Sequence, residues 1–168
     1  MTTTTAPSPH PHRWRALALL FVATWLTAAL GAFASVDAKL FYRGLAQPAW
    51  APPAAVFGPV WTVLFGMMCV AAWLVVRRLG VAAARPALAW YGAQLGANAL
   101  WSWLFFRWHA GAAASVEVLV LLALVALTLR SFWRAHALAG WLMLPYLAWV
   151  GFASALTVAI WRLNPAVL

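Results

Sequence analysis

Charged residues divide this chain into five long apolar stretches, and that division constrains the fold more than any other feature. Residues 16–36, 56–76 and 86–106 are each 21 residues without a charge, residues 137–161 are 25, and residues 110–129 are 20 interrupted by Glu117. About 20 apolar residues at a rise of 1.5 Å cross the roughly 30 Å hydrocarbon core of a bilayer. Lipid offers no hydrogen-bond partner to a backbone, so a spanning segment is a helix or a strand of a closed barrel. Segments of this length are not barrel strands. The expected fold is therefore all-α, an integral membrane bundle of five transmembrane helices near 14–36, 56–76, 86–106, 110–130 and 137–161. A leader at 1–13, rich in Thr and Pro, is expected to be a disordered tail in which His10 and His12 are solvated.

Composition agrees. Charged residues are 8% of the chain and hydrophobic ones 67%, too little polarity to cover a globular surface and too much apolarity for disorder. The single cysteine, Cys69, excludes a disulfide framework and a cysteine-rich metal site. The net charge of +9 is spread singly and in pairs between apolar runs, the pattern of membrane flanks rather than of a nucleic-acid surface. The pattern lacks a hydrolase elbow, a phosphate loop and paired carboxylates, so no catalytic residue is assigned.

Arg13 and Arg15 before an apolar run, with Ala32-Phe33-Ala34 at its end, also fit a signal peptide. The run exceeds the 7–15 residues of a signal core, which favours a retained helix. Seven basic residues flank the spans on the N-terminal side and four on the other. Positive-inside counting puts the N-terminus in the cytoplasm of a bacterial inner membrane. The count leaves an outer membrane open as the host.

The connection 37–55 is long and carries Tyr42, Gln47, Pro48, Trp50, Pro52 and Pro53. It reads either as an interfacial segment resting on headgroups or as a stiff lid over a cavity. Thirteen tryptophans are the most unusual count in the composition. Those at span ends suit an interfacial belt, but Trp25 and Trp149 fall near mid-span, where they either pack helix to helix or line a pocket for a flat apolar ligand.

In the third span Gln94 and Asn98 share one helix face, while Gly92 and Gly96 share a face about 200° away. The amide face should point into the bundle, for helix-to-helix hydrogen bonds or for a ligand. The glycine face permits close approach of a second helix, a homodimer contact. In the fifth span Pro145, Trp149 and Ala153 follow one line, with Tyr146 and Phe152 beside it, and Pro145 should loosen the preceding turn, as Pro59 should before Trp61. Glu117 is expected to be structurally paired or protonated.

The run Tyr42-Arg43-Gly44-Leu45-Ala46-Gln47-Pro48-Ala49-Trp50-Ala51-Pro52-Pro53, followed by Phe57-Gly58-Pro59-Val60-Trp61-Thr62, closely resembles the translocator protein family, also called tryptophan-rich sensory proteins or the peripheral benzodiazepine receptor family. The likeness continues from Gln94 through Asn98 to Trp101, at Val116-Glu117, at Pro145-Tyr146-Leu147-Ala148-Trp149 with Gly151-Phe152-Ala153, and at Trp161-Arg162. The resemblance implies a five-helix bundle, commonly dimeric, whose pocket opens beneath the first loop and binds porphyrins and haem-pathway intermediates, or sterols in animals. Carried onto this chain, it implies a pocket of Tyr42, Trp50, Trp61, Asn98, Trp149 and Ala153, with Gln94 nearby. No obligatory cofactor follows; a porphyrin or haem-type tetrapyrrole is the expected ligand. Transport, buffering or sensing of that ligand is the implied role, and light-dependent porphyrin breakdown beside Trp61 and Trp149 the alternative. The stretch Leu156–Arg162 lacks the tyrosine of the animal sterol motif, and ten arginines to one lysine suit a bacterial host.

Overall fold

The computed structural model describes residues 11–168, with side chains from Trp14 onward. The expected disorder of the tail falls mostly outside those residues, as does His10. The helix itself begins earlier than the sequence suggests, since α1 runs Pro11–Ala34. The other long helices are α3 (Phe57–Leu79), α4 (Val81–Ser102), α5 (Gly111–Ala135) and α6 (Ala137–Leu163), with a short α2 (Ala38–Gly44) in the first connection. Four of the long helices are long and apolar enough to cross a membrane. The remaining one, α4, has the length, but its apolar character is diluted by Arg85, Tyr91, Gln94 and Asn98.

Tight reversals make successive helices antiparallel. Gly80 alone separates α3 from α4 at φ 79° and ψ 161°, a region that only glycine occupies without strain. His136 alone, extended, separates α5 from α6. Between α4 and α5 the helix widens into a π turn at Trp103–Arg107, in which Trp108 N–H donates to the Trp103 carbonyl at 2.9 Å. The chain then reverses through His109 at φ 50°. Pro145 does not break α6, which is continuous around it, and Pro59 sits in the first turn of α3, where a missing N–H costs nothing.

Around one core, α5 packs on α4 and α6, and α3 on α6. The half of the bundle that includes the Gly80 and His136 reversals is filled by small and β-branched side chains: Ala71, Ala72, Val75, Val76, Ala84, Val125 and Ala139 are fully buried there. Close approach is visible at Gly140, where a Cβ would lie 2.5 Å from the Trp133 ring. The first helix leans on α3, α4 and the π turn and is the least enclosed, with 11% of its most apolar stretch buried against 44% in α3 and α6.

Buried hydrogen bonds then fix the register of α4. Thr24 Oγ1 donates to the Leu20 carbonyl, so the 2.6 Å contact with Tyr91 Oη has the phenol as donor and ties α1 to α4. One turn on, Asn98 Nδ2 donates to Tyr146 Oη at 3.1 Å, and Tyr146 Oη donates to Gln94 Oε1 at 2.8 Å. Gln94 Nε2 completes the set against Met68 Sδ at 3.7 Å. In hydrocarbon such interhelical bonds are worth about 1 kcal/mol each. They also satisfy amides that would otherwise be expensive to bury.

Candidate ligand-binding site

Toward the opposite end of the bundle the helices stand apart around a cavity of about 670 Å³. That is within the range of sites that enclose whole organic ligands. Aromatic rings hold the helices off one another. One series runs Phe65, Trp61, Trp101 and Phe105, with neighbouring centroids 5.8–6.4 Å apart. A second runs Tyr42, Phe57, Trp149 and Phe152, at 5.3–6.0 Å. Rings of this size cannot interdigitate as alanine and valine do, so they bracket a void instead of filling it.

Each wall has a clear origin in the chain. Small residues of α1 (Ala28, Ala29, Gly31, Ala32) leave room on one side; α3 brings Phe57 and Trp61, α4 brings Asn98 and Trp101, and α6 brings Trp149 and Ala153. The π turn delivers Phe105 and Phe106 to the same space. Asn98 is the deep polar group, 4% exposed, with its Nδ2 already engaged by Tyr146. The indole N–H groups of Trp101 and Trp149 are buried without a partner among the described residues. An unpartnered donor in the wall of a cavity is a group to which a ligand acceptor can bond.

The roof is the connection 45–56 with α2. Tyr42 is buried beneath it and its hydroxyl donates to the Pro52 carbonyl at 3.1 Å. Burial pushes the phenol above its ordinary pKa and keeps it a donor. Gln47 donates back to the Tyr42 carbonyl. Asn164, just beyond α6, grips the roof from outside: its Oδ1 accepts from Ala46 N–H at 2.8 Å and its Nδ2 donates to the Ala46 carbonyl at 2.9 Å. Phe41 stacks on His109 at 4.2 Å, joining α2 to the α4–α5 reversal.

Of the residues expected at the site, Tyr42, Trp61, Asn98, Trp149 and Ala153 meet around this one cavity. Trp50 does not line it: half-exposed, it lies with its ring edge-on to Phe152 at 5.7 Å. Gln94 is fully buried and off the cavity, acting on it through Tyr146 and Asn98. Gly92 and Gly96 are exposed on the outer side of α4, with open space where a Cβ would go. The expected pairing of Glu117 is not found among the described residues: the carboxyl is buried and neither oxygen is hydrogen-bonded. Trp101 could have been placed beside Asn98 from the i, i+3 spacing, whereas Asn164 gave no local signal, since its partner lies 118 residues away.

A bundle of membrane helices that encloses an aromatic cavity under a pinned loop defines a helical membrane protein with an internal chamber. The match to the TspO/MBR family covers residues 16–162, and the chain belongs to that family, whose fold is a bundle of five transmembrane helices. Among its relatives are a tryptophan-rich sensory protein of Cereibacter sphaeroides, 39% identical over 82% of this chain and 87% of the relative. Protein CrtK of Rhodobacter capsulatus is 34% identical over 88% and 92%, and the human translocator protein 36% identical over 74% and 75%.

Proposed function

We propose that this protein binds a porphyrin-type tetrapyrrole within the membrane, in order to carry, buffer or sense it. The single observation behind this reading is the cavity of about 670 Å³, walled by Trp25, Trp61, Trp101 and Trp149, with a buried amide at its deep end. Flat aromatic walls favour a flat macrocycle through stacking, and a few polar groups orient it. The names of two relatives, one for sensing and one for translocation, are consistent with such a role. Titration of the purified protein with protoporphyrin IX tests the reading: saturable quenching of tryptophan fluorescence with a shifted Soret band is expected, and a linear, non-saturable response would refute it.

A second reading, light-dependent breakdown of the bound porphyrin, is favoured by the position of Trp61 and Trp149 in the cavity wall, where an oxidisable indole adjoins the ligand. Illumination in the presence of oxygen separates the two. A stable Soret band removes the enzymatic reading.

Two copies are proposed to associate through the outer face of α4, where Gly92 and Gly96 leave room for close approach. The arginine-rich end that bears Arg77, Arg78, Arg85, Arg130 and Arg134 is proposed to face the cytoplasm of a bacterial inner membrane. Gly96→Leu should convert a crosslinkable dimer to monomer with porphyrin affinity retained; a dimeric variant that lost the ligand would reverse the assignment of the two faces.

A further inference from the structure

Among the described residues that line the cavity, Lys39 carries the sole formal charge. It is also the chain's one lysine, the other ten cations being arginines. On α2 it sits three residues before Tyr42, so both belong to the side of that helix that borders the cavity. Tyr42 is held down by burial and by its bond to Pro52, which fixes the helix that presents Lys39. Lys39 itself is exposed, at the mouth rather than the floor.

Nothing nearby neutralises it. The chain has two acids. Asp37 is exposed and precedes Lys39 by two positions, a spacing that does not bring side chains together on a helix. Glu117 is buried in α5. The cavity therefore grades from a buried amide at Asn98, through indole and phenyl walls, to an ammonium beside water. A ligand matching that gradient has a flat apolar body and an anionic edge, and enters body first. An acyl-chain carboxylate has the edge without the flat body.

We infer that Lys39 is the specificity residue that anchors the carboxylate edge of the ligand at the cavity mouth, so that the site takes carboxylated tetrapyrroles in preference to their neutral esters. This rests on the porphyrin reading above and narrows it to a ligand class. The lysine stem is flexible and its ammonium is a point charge, suited to following a carboxylate at a wet interface.

The test compares protoporphyrin IX with its dimethyl ester, on the full chain in zwitterionic nanodiscs at low ionic strength, for the wild type, Lys39→Met and Lys39→Arg. The wild type should prefer the diacid by about fivefold, the scale of a partly exposed ion pair, and salt should erode the preference. In Lys39→Met the diacid should weaken to the level of the ester, with ester affinity unchanged as evidence of an intact fold; Lys39→Arg should restore the preference. Equal affinity for diacid and ester in the wild type, or an undiminished preference in Lys39→Met, overturns the inference and leaves the porphyrin reading standing. Failure of the wild type to bind either compound overturns both.

Discussion

The two ends of this bundle use the same helices for opposite purposes. Near the Gly80 and His136 reversals, alanine and valine side chains interlock, and Phe132 and Met143 are fully buried among them. Toward α2 the same α3, α4 and α6 carry Trp61, Trp101 and Trp149, and a cavity takes the place of a core. Between them lies the Gln94–Tyr146–Asn98 chain of hydrogen bonds, whose Asn98 end reaches the cavity. Side-chain size thus sets where the bundle closes and where it opens. The packed half supplies stability, and the open half gives some up to keep its cavity.

That division has measurable consequences, the largest in the packed half. Phe132 is fully buried and stacks on Tyr91 at 5.8 Å. Phe132→Ala should cost about 3 kcal/mol or more of stability, read as lowered thermal resistance in detergent, while porphyrin affinity of the folded fraction changes little. In the open half the balance should invert. Trp149→Ala removes a ring that faces a void, so it should weaken porphyrin binding by about 1–3 kcal/mol, by analogy with base stacking on aromatic side chains, with a smaller loss of stability. If the two substitutions affect stability and binding in equal proportion, the two ends are not functionally distinct.

Much of this division was legible in the sequence, because arginine pairs mark the ends of the spans and the i, i+4 placement of Gln94 and Asn98 marks the inward face of α4. The roof was less so. Seven residues of α2 within a proline-rich connection are too few to show a helical period. The resemblance implies that the tryptophan of the Trp-x-Pro-Pro run is a pocket residue, yet Trp50 is half-exposed, with its ring edge-on to Phe152 and off the cavity. For Glu117 the sequence leaves pairing and protonation both open, and tertiary placement buries it with no hydrogen-bond partner among the described residues. Long-range contacts such as Ala46 with Asn164 leave no trace in local spacing.

Smaller effects probe the seams between the regions. Gly80→Ala forces a Cβ into a backbone conformation that L-residues avoid, and should cost about 1–3 kcal/mol in stability without altering porphyrin affinity. Asn164→Ala frees Ala46 from both hydrogen bonds, worth about 1 kcal/mol at an exposed site. If the roof closes after entry, that variant should raise the porphyrin dissociation rate by about fivefold in stopped-flow quenching and leave association nearly unchanged. Trp50→Ala, which removes the edge-on contact of a half-exposed ring with Phe152, should act in the same direction and by less. Unchanged dissociation in both variants would make the roof a static interfacial segment.

The central claim is that the void itself, and not the outer surface of the helices, holds the ligand. Ala153 lies on the cavity wall and is otherwise buried, so Ala153→Phe places a ring in the void without removing any existing contact. Paired titrations of the wild type and this variant with protoporphyrin IX, alongside thermal unfolding of each, test the claim directly. The account expects binding to weaken at least about tenfold, since a ring takes space the ligand needs, while stability is held or raised because the cavity is partly filled. Undiminished affinity in a folded Ala153→Phe protein would place the porphyrin elsewhere and contradict the account.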